Sequence, residues 1–259
     1  MYQRTAATPE RPFFQIIGLK LRWWPIALAV GVMVALMVPA GLTARWLFEH
    51  HPDWFHHQVW AFGGLAELLH TVAGLVAVVV MRRLLPQAES NLRWPPGRSD
   101  VGLALAIGVG MAAVMLVASH APELVTRTAP KTDYEMTWIG VPGWLTMMLA
   151  AGPCEEIAFR GVLVGMLTVL VPGRVRLGRF DIPFSGVIVA VLFSFAHLQS
   201  FFTDSLYDAV AQQLYAFAFG LIYVWLMEHS RSLLAPMIAH GVGDMLEVAA
   251  TMLLSVVWS

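Results

Sequence analysis

Residues 154 to 160 read Cys-Glu-Glu-Ile-Ala-Phe-Arg and sit between two apolar stretches, 140–152 and 161–171. Each ionisable side chain there costs roughly 2.5–3.5 kcal/mol at mid-bilayer on insertion scales. A chain keeps such charges only where they meet each other, meet water or do chemistry. Glu156 and Arg160 are four apart with the acid on the N-terminal side, the favourable order for a helical ion pair. Breaking that pair away from water strands a charge. Adjacent helical residues point ~100° apart, so Glu155 and Glu156 are not expected to serve one partner. Glu155 is left over, beside Phe159, and a carboxylate without a local partner suits a general base. The plainer reading is a structural carboxylate paired with another helix.

Two further apolar stretches carry matching parts. Phe193-Ser194-Phe195-Ala196-His197 closes one span, with Phe193 and His197 on one face. A lone histidine in such a place is ordinarily a core residue with one satisfied nitrogen. His240-Gly241-Val242-Gly243-Asp244 puts an imidazole and a carboxylate four apart, with Glu247 a turn further on. Gly241 and Gly243 admit another helix closely. The plain reading is an aspartate orienting a structural histidine; the spacing also fits a metal-ligand or an electrophilic pair. Two imidazoles and a carboxylate on three separate apolar helices are the parts of an acid-base hydrolytic site. The bilayer excludes bulk water, so a polar pocket must hold the attacking molecule. A proton-coupled carrier with a Glu/His relay uses the same residue types, but the polar residues are concentrated in the C-terminal half.

The elements that must position these residues are membrane helices. The chain has 259 residues, 58% of them hydrophobic and 13% charged, about half the charged fraction of a soluble domain. Continuous apolar runs, rather than alternation, exclude a β-barrel. Spans are expected near 24–44, 59–81, 101–119, 138–171, 183–199, 209–227 and 233–258. The stretch 138–171 is long for one span, and Gly152-Pro153 is expected to kink or break it. The fold class is therefore all-α: a polytopic transmembrane bundle of seven or eight helices around an intramembrane catalytic cavity, eight if 233–258 folds as two short helices. One domain is expected over 23–259, after a polar basic tail, 1–22, with Arg4, Arg11, Lys20 and Arg22 and with Pro9 and Pro12 against a long helix. Lys and Arg gather in that tail, in 82–98 and in 174–179, which places the N-terminus in the cytoplasm by the positive-inside rule. No cleavable signal peptide is evident. The single cysteine, Cys154, rules out an intrachain disulfide and reads as a packing residue. No basic block suggests nucleic acid.

Glu-Glu-x-x-x-Arg, then Phe-x-x-x-His, then His-x-x-x-Asp, in this order on separate helices, resembles the CPBP family of intramembrane proteases, which includes the CAAX prenyl endopeptidases and bacteriocin-immunity proteases. The matching residues are Glu155, Glu156 and Arg160; Phe193 and His197; His240 and Asp244, all within 138–259. The resemblance implies a helical bundle with a cavity open to substrate. It implies that Glu155 and His197 activate a water, that His240 and Asp244 stabilise the oxyanion, and that Glu156 with Arg160 holds the site together. It implies no metal. The prenyl endopeptidases have Asn where Asp244 stands, and an ionised Asp cannot donate to an oxyanion. Either Asp244 carries a proton or it orients His240, as an Asp does in a Ser-His-Asp triad. Zinc remains an alternative, with Glu155, His197, His240 and Asp244 as ligands, although no His-Glu-x-x-His is present.

The expected partners are the lipid bilayer and a membrane-anchored protein or peptide cut near its C-terminus, in a bacterial cytoplasmic membrane. A catalytically silent immunity or scaffold protein of the same family is the other reading. His197 is expected near the outer end of its span, and a break at Gly152-Pro153 would raise Glu155 to meet it. Glu67 and His70, three apart, are expected to pair and to line the cavity. His50, His51, His56 and His57 form a loop cluster with no ligand spacing.

Overall fold

A computed structural model describes residues 14–18, 22–56, 58–178 and 180–259. Arg4, Pro9, Arg11, Pro12, Lys20, His57 and Arg179 lie outside the described residues. The chain begins with β1 (Phe14–Ile17) and α1 (Trp23–His50), followed by the short 3-10 turn Pro52–Phe55. Next come α2 (Val59–Leu84), α3 (Val101–Thr126) and α4 (Gly140–Glu156). A π-helical stretch, Ile157–Val164, leads directly into α5 (Gly165–Leu170). The hairpin β2 (Arg174–Leu177) and β3 (Phe180–Pro183) follows, then α6 (Phe184–Ala196), the single turn α7 (Ser200–Thr203), α8 (Leu206–Ser230) and α9 (Leu234–Val257).

The protein is a polytopic helical membrane bundle. Among the described residues six segments are long and apolar enough to cross a bilayer: α1, α2, α3, 184–203, α8 and α9. The run 140–170 is helical throughout. The last apolar region is one helix, so the eight-helix alternative is not adopted. α1 and α2 bury only 17% of their apolar windows, whereas α8 and α9 bury 39%, so the former form the rim and the latter the centre. Val34, Val38 and Leu42 of α1 and Val72, Val76 and Val79 of α2 accordingly face outward, where lipid replaces a protein neighbour.

The expected break at Gly152-Pro153 is absent. Pro153 lies inside α4, and the irregularity falls at the π-helical turns after Glu156 instead. Proline removes the donor to the carbonyl four residues back, here Leu149. α9 comes to that carbonyl: a Cβ on Gly241 would overlap Leu149 O, and one on Gly152 would overlap Met237 O. The two backbones therefore cross at Gly152 and Gly241. This contact sets the distance between the Glu-Glu pair and His240. A glycine pair of this kind drives close helix packing in lipid.

At one end of the bundle β1, β2 and β3 form an antiparallel sheet, with Phe14 opposite Leu177 and Arg174 opposite Pro183. Three short strands, two of them from the basic 172–182 loop, were not expected. Their pairing joins segments about 160 positions apart, so local periodicity carries no trace of it. Arg174 binds Asp181 (2.8 Å) and Glu228 (3.1 Å), tying the hairpin to α8. Arg93 Nε donates to Arg231 O (2.9 Å) and Leu233 N–H to Asn91 O (3.0 Å), so the basic connections gather at this same end.

A side chain at Gly241 should therefore be costly and one at Gly243 should not. A Cβ at Gly243 would meet Gly108 O at an ordinary 3.5 Å. Gly241→Val is expected to lose on the order of 1–3 kcal/mol by overpacking. Gly243→Ala is expected to be neutral or slightly stabilising, because alanine favours helix. Melting temperatures of the purified variants in detergent check the contrast.

Candidate active site

Glu156 is the hinge of the site. Its Oε1 accepts from Arg160 Nη1 (2.9 Å), as the four-residue spacing predicts, and lies 2.9 Å from His240 Nδ1 of α9. Glu156 and Arg160 are fully buried. Arg160 Nη2 donates to Gly220 O of α8 (3.3 Å). The guanidinium lies 4.4 Å from the Phe193 ring centroid and 4.9 Å from that of Tyr223. Desolvated cation–π contacts contribute about 2 kcal/mol, which helps to offset the burial of this charge. The π-helical stretch is buried along its whole length, so Arg160 is surrounded on every side.

His240 receives carboxylates at both nitrogens. Nδ1 meets Glu156, while Nε2 is 3.2 Å from Asp244 Oδ2 and 3.9 Å from Glu155 Oε2. The expectation that Glu155 and Glu156 cannot share a partner is thus corrected. An imidazole inserted between them offers its two nitrogens in different directions, so side chains diverging by ~100° reach one ring. Asp244 is not the residue behind His240 Nδ1; Glu156 takes that place, and Asp244 contacts the nitrogen on the cavity side. Tyr223 stacks on the His240 ring (centroids 4.8 Å, 21°) and Phe193 meets it edge-on (5.7 Å, 85°).

His197 caps α6. Its Nδ1 lies 2.9 Å from Phe193 O. A carbonyl only accepts, so Nδ1 carries the proton and Nε2 keeps its lone pair. Gln213 of α8 fixes this helix end, with Nε2 donating to His197 O (3.1 Å) and Oε1 accepting from Ser194 Oγ (2.9 Å).

Glu155, His197, His240, Asp244 and Phe193 all line one cavity of about 840 Å³. Its other end reaches Lys131 and Asp204, in connections opposite the basic end, and Asp208 in the first turn of α8. The expected depth argument is therefore reversed. Glu155 stays deep, about 22 Å along α4 from Gly140 at 1.5 Å per residue. The two meet because α6 is only 13 residues long and ends inside the bundle, which places His197 deep as well.

Glu67 lines the cavity as expected, 3.8 Å from His70 Nδ1, but His70 turns its Nε2 to Met37 O (3.1 Å) on α1. Glu247 also lines it and accepts from Thr251 Oγ1 (3.0 Å). Sequence reasoning missed Tyr223, Tyr215, His120 and Glu123, which complete the lining. A polar group inside an apolar span was their only signal. Among the described residues no three His, Cys, Asp or Glu side chains are grouped to hold a metal ion. His50 and His51 stack on Trp46 (4.8 Å) and Trp54 (4.1 Å). Cys154 is half-buried and pairs with Thr71.

Arg160→Met removes one partner of a buried pair and leaves Glu156 facing only His240. The expected loss is about 3–5 kcal/mol, whereas removal of the exposed Arg45–Glu49 pair should leave the melting temperature unchanged. Thermal unfolding of Arg160→Met and Arg45→Met in detergent checks this.

No curated protein and no solved structure matches the chain. Residues 137–246, which hold Glu155, Glu156, Arg160, Phe193, His197, His240 and Asp244, match the family model described as Type II CAAX prenyl endopeptidase Rce1-like. This segment carries the Rce1-like family's signature, in agreement with the resemblance of its motifs.

Proposed function

We propose that the protein is a metal-free intramembrane endopeptidase that cuts a peptide bond in a membrane-associated protein or peptide, near its C-terminus. The family match gives the coarser statement, a CAAX-type membrane peptidase. The single observation that supports the finer reading is that Glu155, His197, His240 and Asp244 all line one cavity in the bundle.

In this reading a water held between Glu155 and His197 is the nucleophile. Glu155 takes its proton as general base, and His197 Nε2 accepts a hydrogen bond from the water with its free lone pair. The oxygen attacks the scissile carbonyl. His240 donates from Nε2 to the resulting oxyanion, which displaces the contact with Asp244. Glu156 behind Nδ1 and Arg160 behind Glu156 keep the ring turned to the cavity, as a buried carboxylate does in a serine-protease triad. Collapse of the intermediate breaks the C–N bond, and Glu155 returns its proton to the leaving amine. Asp244 holds the Nε2 side of His240 until the substrate carbonyl arrives. Its role asks for an acceptor, which a carboxylate supplies. By the positive-inside rule the basic end faces the cytoplasm, and the cavity then opens on the other side.

Comparing the C-termini of membrane proteins in cells carrying wild type or Glu155→Gln tests the reading, and an identical set of termini overturns it. On a substrate found in this way, Glu155→Gln and His197→Ala are each expected to lower kcat by about 10²–10⁴. His240→Ala is expected to lower it by about 10²–10³. For the metal-free mechanism, activity is expected to survive a zinc chelator. Elemental analysis of the purified protein is expected to find less than stoichiometric zinc, and a full equivalent that disappears in His240→Ala would overturn it.

A further inference from the structure

Beyond the reacting groups, the cavity has a one-sided charge. Glu67, Glu123, Asp204, Asp208, Asp244 and Glu247 line it, and Lys131 is the one Lys or Arg among its lining residues. Five carboxylates outside it pair with arginine: Glu49 with Arg45, Glu89 with Arg93, Glu156 with Arg160, and Asp181 and Glu228 with Arg174. Among the described residues none of the six cavity carboxylates has an arginine or lysine partner. Glu247 has a hydroxyl and an imidazole, Asp208 a hydroxyl, and Glu67 an imidazole. Oε2 of Glu123 and Oε2 of Glu67 are buried without any hydrogen-bond partner. A carboxylate oxygen removed from water and left unpaired beside a cavity calls for a donor from outside the molecule.

Three of these side chains reach the cavity from three helices. Glu123 of α3, Asp208 of α8 and Glu247 of α9 all line it, and Glu247 Oε1 lies 3.6 Å from His120 Nε2. His120 sits where α3 departs from helical geometry (φ −123°, ψ 24°), two residues before Pro122. Along α9, Glu247 follows His240 by seven residues, about 10 Å at 1.5 Å per residue. An extended peptide covers that distance in about three residues at ~3.3 Å each. Phe193 and Tyr223 close the cavity around His240, and Asp204 and Lys131 lie towards its open end. The arm of a substrate that leaves by the open end therefore passes this cluster.

Resting on the peptidase reading, we propose that Glu123, Asp208 and Glu247 form a subsite for a lysine or arginine side chain about three residues from the scissile bond, on the substrate arm that leaves by the open end of the cavity. The substrate class is then a membrane-associated polypeptide with a basic residue just before the cut. A cleaved C-terminal remainder lies on the other arm, away from the repelling carboxylates. The charged lining also draws cationic segments in, because a cleft of one sign with low-dielectric walls focuses the field.

The test uses the full chain in detergent and a set of labelled apolar peptides that differ only in a single Lys, Ala or Glu moved along the sequence. Binding to Glu155→Gln is read by fluorescence anisotropy, and cleavage by wild type is mapped by mass spectrometry. Lysine peptides are expected to bind about tenfold more tightly than glutamate peptides, and less so in high salt. The cleavage advantage is expected to peak with lysine about three residues before the cut. Glu123→Gln keeps the shape of a side chain that has no arginine or lysine partner among the described residues, so the fold is expected to hold, as its melting temperature will report. The lysine preference should fall in Glu123→Gln and vanish when Glu247→Gln is added. Equal binding of lysine and glutamate peptides, no binding of either, or a lysine preference that survives both substitutions overturns the subsite. Peptide cleavage that persists in Glu155→Gln overturns the peptidase reading instead, and leaves the binding result to judge the subsite by itself.

Discussion

One carboxylate oxygen, Glu156 Oε1, joins the two halves of the site. It takes a proton donor from Arg160 on its own helical run and faces Nδ1 of His240 from α9. Neither contact is near water, so neither can be exchanged for solvation. An Arg160 without Glu156, or a Glu156 without Arg160, would be a bare charge among Phe159, Phe193 and Tyr223. The rest of the centre follows from that constraint. The π-helical turns enclose Arg160, Gly220 brings the α8 backbone within reach of it, and the aromatic rings seat the guanidinium by their faces. His240 is thereby fixed in orientation, and in the proposed mechanism that spares electrostatic stabilisation any reorganisation.

The bilayer explains why the assembly is built from backbone contacts. Apolar burial gives helices no drive to associate in lipid, so packing and polar contacts must do it. α4 and α9 meet at Gly152 and Gly241, where the Leu149 carbonyl freed by Pro153 lies against the opposing backbone. That crossing brings residues 155 and 156 level with residue 240. The short α6 brings His197 to the same depth, and Gln213 satisfies the helix end that would otherwise be left open inside the bundle. A helix terminating at membrane depth is tolerated where it lines a polar cavity, and His197 stands at such a place.

The cavity divides its carboxylates by what they meet. Five of those outside it pair with arginines, and among the described residues none of those lining it does. Such a distribution favours a protein whose missing cations arrive with the substrate, and it gives the acid-rich end of the bundle a purpose that the reacting residues do not require.

The amino-acid sequence by itself determined the class of the fold and the identity of the central side chains. Apolar runs of spanning length have one stable form in lipid, and ionisable residues inside them are too costly to be incidental. Glu155, Glu156, Arg160, His197, His240 and Asp244 could therefore be singled out without coordinates, and the pairing of Glu156 with Arg160 followed from helical spacing. Tertiary structure decided what spacing cannot carry. It put Glu156 rather than Asp244 behind His240, left the chain unbroken at Pro153, ended α6 at depth, and paired residues 14–17 with 174–177. Each of these depends on how two segments remote along the chain meet. Local periodicity reports only which face of an element is apolar, never which element will lie against it.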